Sequence, residues 1–553
     1  MADTILAQAK GRTLGAVLDE VTAIQGDRPA VFYFDTVISY RDLREQAREA
    51  ARALMALGVK RGDRVGALLG NVPEWMTMCF AAAYVGATFV PFNTWYKSTE
   101  IDWTLRHCGI SVLVFAPTFL KQDFSSILSD LIPEMRNAHP GELRSARYPD
   151  LRALVTCGVK TAGTFDWQEF LDLGRNVGAD RLAAAAAQVA GSDIAYILYT
   201  SGSTAEPKGV TLNHRSLIEN SFGLGDRRNI NADDRIWLGA PLFYGLGSAN
   251  AMPIALTHGA SLVLQGSFDA GAAIRLIAKT KATAYYGTGN MTRAMLDHPD
   301  YAPAKIATMK KGTAGTVPSY KHMTLVEMGV SQASSVYGLT ESYGNATVSH
   351  FDDPVDVKIN TCGTLLPGME MKIVDPATMR EVPRGENGLV LLRGHTTPGY
   401  FKNPAETARA LMADGWFNTG DLGRLDSAGR FLFHARLKEV LKCGGINVSP
   451  LEVEQLLTQH PDVKDAHVVG VPDAKLGEAI VAFVQSDENI SGEALRNFVK
   501  ERAASFKVPH HVFVRSEAQL PRLASGKIAK YQLVQEAMRQ IGCGEVNAVP
   551  LKG

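Results

Sequence analysis

The stretch Tyr196-Ile-Leu-Tyr-Thr-Ser-Gly-Ser-Thr-Ala-Glu-Pro-Lys-Gly-Val210 places hydroxyls at Thr200, Ser201, Ser203 and Thr204 around Gly202, and then adds Lys208 and Gly209. An apolar run leads straight into this loop. Glycine lets backbone N–H groups approach an anion, hydroxyls add donors, and a lysine adds charge. That is the chemistry of a phosphate cradle. No Gly-Lys-Ser/Thr closes the loop, so it is not a Walker A turn. A plain surface loop can share this composition, but the order and length of the stretch argue against one.

The stretch resembles the signature loop of the adenylate-forming superfamily, which includes acyl-CoA synthetases, peptide-synthetase adenylation domains and beetle luciferases. Further motifs appear in the family's order, and the resemblance runs from about residue 10 to about residue 540. Ser335-Val-Tyr-Gly-Leu-Thr-Glu-Ser342 is similar to the segment that stacks on adenine and supplies a magnesium-linked glutamate. This implies roles for Val336, Tyr337, Gly338, Thr340 and Glu341. Gly312-Thr-Ala-Gly-Thr-Val-Pro318 resembles the turn under the adenine, with Thr313, Ala314 and Gly315 at the nucleotide, though it departs from the usual Gly-Gly-Ala-Pro. Trp416-Phe-Asn-Thr-Gly-Asp421 is similar to the ribose-binding turn. Ala435-Arg-Leu-Lys-Glu-Val-Leu-Lys442 resembles the interdomain hinge around Lys438, except that Ala435 stands where Gly or Asp is usual. Leu520-Pro-Arg-Leu-Ala-Ser-Gly-Lys-Ile528 is similar to the loop that carries the catalytic Lys527. The resemblance implies ATP and coenzyme A as co-substrates and Mg²⁺ as cofactor.

The residue types suit that chemistry. Forming an acyl adenylate joins two anions in line and expels pyrophosphate, so the site must neutralise charge and hold both partners. Glu341 can anchor Mg²⁺ on the phosphates. Lys527 is a point charge able to reach carboxylate and α-phosphate together. Asp421 can accept from paired ribose hydroxyls, Arg436 is a fixed donor fork for the same sugar, and Tyr337 offers a π-face to adenine. Taken singly, each of these residues is as well read as a cap, a turn or a solvated lysine; together, in this order, they are not. By the resemblance, Lys442, Gly444 and Gly445 face the active site in a second, thioester-forming pose, where the glycines leave room for the pantetheine arm.

The choice within the family turns on the C-terminal end of the chain and on the pocket. Only a short helix and a tail come after Lys527, so no carrier domain is expected. The loop Pro241-Leu-Phe-Tyr-Gly-Leu-Gly-Ser-Ala-Asn250 lacks the acid that peptide-synthetase pockets place on a substrate ammonium. The sequence therefore points to a carboxylic acid–CoA ligase acting through an acyl adenylate. A stand-alone enzyme that loads a carrier protein is the alternative. A non-catalytic nucleotide- or acyl-binding protein is a third reading, which Glu341 and Lys527 together argue against. The acid pocket is assigned to Tyr244, Ser248, Tyr286 and Asn290, with Tyr285 and Met291 nearby and gaps at Gly315 and Gly338. The set is aromatic and apolar, so an uncharged acid, cyclic or of medium chain length, is expected.

These residues need a scaffold. Ser39 with Asp42 forms a capping box, Leu43, Ala47, Ala50, Leu54 and Leu57 share one helical face, and Gly58 sits where a helix-ending glycine belongs. The uncharged stretch Trp75 to Phe92 reads as a buried helix running into a strand. Strand-like runs at 64–70, 87–92 and 110–115 alternate with helical patterns. The fold class is therefore α/β: a large N-terminal domain of α/β sheets, a small β-rich subdomain at about 363–435, and a small mobile α+β C-terminal domain. The domain limits are 1–437 and 438–553. In the second, helices are expected at 451–460 and 492–504 and strands at 466–471 and 479–484.

Composition narrows the partners. The chain has 553 residues with Lys+Arg 57 and Asp+Glu 57, and this zero net charge argues against a nucleic-acid or polybasic membrane binder. None of the six cysteines forms a CxxC pair, which suits reduced thiols in a cytoplasmic protein. The N-terminal stretch lacks the apolar core of a signal peptide, and Leu-Lys-Gly is not a peroxisomal signal. Small-molecule partners without stable membrane insertion are expected, with room for a homodimer.

Overall fold

The computed structural model describes residues 12–200, 207–443, 446–473, 475–486, 488, 490–523 and 528–541. The chain divides into two compact units. One is Met1–Met371 with Leu391–Asn418 and Gly429–Phe431; the other is Lys372–Val390, Thr419–Ala428 and Leu432–Gly553. Residues 372–390, 419–428 and 432–435 of the expected β-rich subdomain thus belong to the unit that holds the C-terminal segment.

The first unit is built on two large sheets. In one the order is Lys208–Asn213, Ile194–Thr200, Thr88–Pro91, Arg64–Leu68, Val112–Phe115, Ala153–Thr156 and Phe165–Asp166. Its strands are parallel apart from the hairpin of Ile194–Thr200 with Lys208–Asn213. In the other, Ser334–Tyr337, Lys311–Gly315, Ala284–Tyr286, Arg235–Leu238, Ser261–Leu264 and Pro29–Tyr33 lie side by side and parallel. Antiparallel strands close both edges: Thr347–Val348 with Thr364–Leu365, and Thr36–Ser39. Central parallel strands are covered on both faces, which is why Val112–Phe115 and Ser261–Leu264 are apolar throughout or nearly so and fully buried.

The helices obey their local signals. Tyr40–Ala56 starts on the Ser39–Asp42 capping box, and Gly58 takes a φ of 75° just beyond its end. Pro73–Val85 has Pro at its first position, buries every residue but Glu74, and stops at Gly86, φ 72°. It leads into the buried strand Thr88–Pro91, as the uncharged stretch implied. The alanine run lies in the helix Ala179–Ala187.

A four-stranded sheet is ordered Met369–Val374, Gly388–Gly394, Phe417–Leu425 and Phe431–Arg436. In the C-terminal unit, Gly477–Gln485 pairs with Asp465–Asp473, Leu441–Cys443 and His511–Arg515. Helices Pro450–Leu457, Gly492–Lys500 and Lys530–Ile541 complete it. Its core includes Val453, Leu457, Val468, Ile480, Leu495 and Val499. Among the described residues, no helix is long and apolar enough to cross a membrane.

Candidate active site

Thr200 and Lys208 stand opposite each other across the hairpin that carries the phosphate loop. Ser201, Gly202, Ser203 and Thr204 lie outside the described residues. Lys208 is ion-paired with Glu406, which also pairs with Arg409. The Lys208 ammonium lies 5.6 Å from the centre of the Tyr400 ring. The Tyr400 hydroxyl in turn donates to a Glu341 carboxylate oxygen at 2.8 Å. Burial first, and then the negative charge of Glu341, raise the Tyr400 hydroxyl well above its usual range, so it stays a protonated donor. The Glu341 carbonyl accepts from the Thr397 amide at 2.6 Å. Glu341 is thus gripped at backbone and side chain by the 397–400 segment.

Sequence reasoning missed Tyr400 and Glu406. One signal was visible. Asn403 caps a helix whose first residue is Pro404, and its side chain accepts from the Glu406 amide at 3.0 Å. That signal fixes where Glu406 sits in its helix, not what it faces.

The strand Lys311–Gly315 holds Thr313 and Ala314 buried and ends at Gly315, φ 97°. Gly312 has φ 117°, and a Cβ there would meet the Tyr285 carbonyl oxygen at 2.2 Å, so only glycine lets the two strands approach. Next to it, Ser334–Tyr337 brings half-buried Val336 and the largely buried Tyr337 alongside. The Tyr337 ring lies 4.4 Å, centre to centre, from Phe431. Thr340 opens the short turn Thr340–Ser342, which presents a partly exposed Glu341. The gap expected at Gly338 is absent: a Cβ there would meet the Gly344 carbonyl oxygen at 2.4 Å, because the chain folds back at 344 onto 338. Gly315 is more open, with only the Tyr320 Cβ at 3.4 Å.

Around the expected acid pocket, Tyr244 is half-buried against Phe243 (ring centres 4.7 Å) and Trp95 (5.6 Å). The Asn93 side-chain amide donates to its hydroxyl at 3.4 Å. Ser248 is fully buried in the wide turn Leu246–Ala251, and its hydroxyl donates to the Tyr244 carbonyl at 3.0 Å. Tyr286 is fully buried and accepts from Arg228. Tyr285 points to the opposite face of the sheet, stacked on Trp237. Asn290 is exposed, and its side-chain oxygen accepts from Tyr320 at 3.1 Å.

In the second unit, Asp421 is 2 % exposed and lies 3.4 Å from Arg436 Nε. The Asp421 amide donates to Thr419 Oγ1 at 3.0 Å, and that hydroxyl donates to the Val390 carbonyl, which fixes the turn. Lys438 is exposed in the turn Leu437–Glu439. Lys442 is exposed on the strand Leu441–Cys443, with its amide donating to Glu478 at 2.6 Å. Gly444, Gly445 and Lys527 lie outside the described residues.

Among the described residues, no three His, Cys, Asp or Glu side chains gather to hold a metal. Mg²⁺ in phosphoryl chemistry usually takes one or two carboxylates and completes its shell with phosphate and water. A single oriented carboxylate, Glu341, fits that need.

Comparison with known proteins gives the family. Residues 18–401 match the family model of the AMP-binding enzyme, and residues 452–527 match the AMP-binding enzyme C-terminal domain. The chain is 35 % identical over 532 residues, 94 % of this chain and 98 % of the other, to a Mycobacterium tuberculosis (strain ATCC 25618 / H37Rv) protein named 3-[(3aS,4S,7aS)-7a-methyl-1,5-dioxo-octahydro-1H-inden-4-yl]propanoyl:CoA ligase. It is 32 % identical over 530 residues, 93 % of this chain and 87 % of the other, to the mitochondrial medium-chain acyl-CoA ligase ACSF2 of Danio rerio. Among solved structures, the anthranilate CoA ligase AuaEII in complex with anthranoyl-AMP superposes with a TM-score of 0.83 at 26 % identity, covering 96 % of this chain and 98 % of that one. By both family models and by relatives matched over nearly their full length, this chain belongs to the AMP-binding enzyme family.

Proposed function

We propose that this ATP-dependent, AMP-forming acid–CoA ligase acts on an uncharged apolar acid, cyclic or of medium chain length. The observation that carries the acid class is an aromatic cluster in which Trp95 packs on Phe243 and Tyr244 of the loop assigned to the pocket. These three ring faces favour an apolar or cyclic tail and themselves offer no counter-ion to a charged one. Relatives named for a medium-chain acid and for an alicyclic propanoate support the same class.

The roles follow from the resemblance of the motifs and from the chemistry of the two half-reactions. In the first half-reaction a carboxylate oxygen attacks the α-phosphorus, the bond to the β-phosphate oxygen breaks, and pyrophosphate leaves. Thr200, Ser201, Gly202, Ser203, Thr204 and Lys208 hold the phosphates. Lys527 neutralises the reacting carboxylate and α-phosphate. Glu341, positioned beside Thr340, would hold Mg²⁺, which supplies charge neutralisation across the phosphates. Tyr337 meets adenine, with Thr313, Ala314, Gly315, Val336 and Gly338 about it, and Asp421 and Arg436 hold the ribose. In the second half-reaction the coenzyme A sulfur attacks the acyl carbon and the bond to AMP breaks. Lys438 is the hinge between segments 1–437 and 438–553, and Lys442, Gly444 and Gly445 border the incoming thiol.

The test compares kcat/KM for cyclohexanecarboxylate, benzoate, octanoate, acetate and a dicarboxylate, in the parent and in Tyr244→Ala. One of the first three should lead, and Tyr244→Ala should reorder the series. Acetate or the dicarboxylate in first place, or an unchanged order in the variant, overturns the proposal.

A further inference from the structure

Arg228 is completely buried, yet its charge has no acidic partner among the described residues. One guanidinium nitrogen donates to the Tyr286 hydroxyl. The Nε and the other terminal nitrogen are buried with no hydrogen-bond partner among the described residues. The Tyr286 hydroxyl accepts that one bond, and its own hydrogen meets no acceptor among them either. This is a cluster of donors without an acceptor, in a protein interior where an unmade hydrogen bond is expensive and an unpaired charge more so.

The cluster sits beside the elements assigned to the acid pocket. Tyr286 ends the strand Ala284–Tyr286, which pairs in parallel with Lys311–Gly315, the strand carrying the turn at Thr313 and Gly315. On the other side the Tyr286 carbonyl accepts from the Gly239 and Ala240 amides, at the head of the loop that leads to Tyr244. Side chains alternate along the strand. Tyr285 faces Trp237, while Tyr286 faces the opposite way, toward Arg228 at the end of the helix His214–Arg227. Ser221 of the same helix bonds the Ala249 carbonyl, so the wide turn with Ser248 lies on this side too.

We infer that Arg228 and Tyr286 form the far end of the acid pocket and receive a neutral oxygen acceptor, a ketone or hydroxyl, carried by the substrate remote from its carboxylate. This rests on the reading of the site as an apolar acid pocket and adds one polar contact at its end. A neutral acceptor fits better than a second carboxylate. The Arg228 guanidinium carbon already lies 5.0 Å from the centre of the Tyr286 ring, whose face meets part of its charge. What remains open is hydrogen bonding. A second carboxylate would also have to be stripped of water to pass the aromatic wall.

The experiment compares two matched pairs on the full-length enzyme: cyclohexanecarboxylate with 4-oxocyclohexanecarboxylate, and 3-cyclohexylpropanoate with 3-(4-oxocyclohexyl)propanoate. The two lengths sample different distances from the carboxylate. In the parent, the keto member of at least one pair should lead in kcat/KM by about 10- to 100-fold, the range for a hydrogen bond to a charged group. Arg228→Met should shrink that ratio to about 2 or less, and Tyr286→Phe, which keeps the ring, should shrink it several-fold. If Arg228→Met does not fold, the parent ratio and Tyr286→Phe decide. Ring acids turned over with no keto preference in either pair overturn this inference and leave the apolar-acid reading standing. A preference for acetate or a dicarboxylate over all four overturns that reading and this one with it.

Discussion

The Tyr400 hydroxyl donates to the Glu341 carboxylate at 2.8 Å, and the same tyrosine ring lies under the Lys208 ammonium. One side chain therefore touches both the glutamate assigned to the metal and the lysine assigned to the phosphates. Lys208 pairs meanwhile with Glu406. A carboxylate of the protein thus holds the lysine that the triphosphate would engage. On the proposed assignment ATP would exchange one anionic partner for another, which avoids leaving a half-buried ammonium unpaired at any stage.

Tyr400→Phe should free the Glu341 carboxylate to rotate. The loss of a hydrogen bond to a charged acceptor corresponds to about 10- to 100-fold. The concentration of Mg²⁺ needed for half-maximal pyrophosphate release should rise by about tenfold, with a smaller change in KM for the acid. Isothermal titration of Mg·ATP against the variant provides a readout apart from turnover. Equal Mg²⁺ dependence in parent and variant would show that Tyr400 does not position Glu341.

A pH prediction comes from His214. Its ring is completely buried, Nδ1 accepts from the Leu14 amide at 3.3 Å, and burial lowers its pKa to about 4, with Asp193 opposing. His395 is lowered to about 4 as well, by burial and then by Arg215. In the unfolded chain both take a proton near 6.5, the ordinary value. Folding to neutral histidines is thus favoured above about 6.5, and stability is lost as pH falls from there toward about 4. Each histidine contributes roughly 1.4 kcal/mol per pH unit inside that window. Urea midpoints at pH 7 and pH 5 should differ in that direction. His214→Asn, which keeps an acceptor for Leu14, should flatten the dependence by about one proton. A midpoint that rises on acidification would contradict the buried neutral assignment.

Much of the scaffold was legible because its signals are local. A capping box at Ser39, Pro73 at a helix start and glycines at 58 and 86 each act within one turn of chain. Helix ends were less so: the helix expected to reach 504 stops at Lys500, one residue past Val499, the last side chain it buries. The site was legible only where motif residues are contiguous. Tyr400 meets Glu341 across 59 residues, Lys208 meets Glu406 across 198, and Arg228 meets Tyr286 across 58. Nothing in the neighbouring sequence of any of these announces its partner, because the sheet order brings them together. The Gly338 gap failed for a different, local reason: the chain folds back at 344 and its backbone fills the space.

At the proposed hinge, Lys438 is exposed in a short turn and carries no packing role that would confuse a substitution. Lys438→Pro fixes φ near −65° and removes an amide donor. The variant should release about one equivalent of pyrophosphate per enzyme in a burst and then stall, holding acyl adenylate without forming thioester. Normal acyl-CoA turnover in this variant would place the pivot elsewhere or show that no swing is needed.

Lys527 provides the sharpest division between the half-reactions. Its assigned work is to neutralise charge where the carboxylate oxygen meets the α-phosphate, and losing one preorganised contact of that kind typically costs about 10²–10³ in rate. Lys527→Ala should slow adenylate formation by that factor, measured as pyrophosphate release under single-turnover conditions. Supplied with synthetic acyl adenylate and coenzyme A, the same variant should make thioester within about threefold of the parent rate, because in the proposed thioester-forming pose the loop carrying Lys527 has swung away from the reacting groups. Lys527→Arg should recover little, since a planar fork cannot stand in for a compact ammonium at one reacting oxygen. Equal losses in both half-reactions would mean that Lys527 stays at the site throughout, and the two-pose assignment, with Lys438 as its pivot, would fall with it.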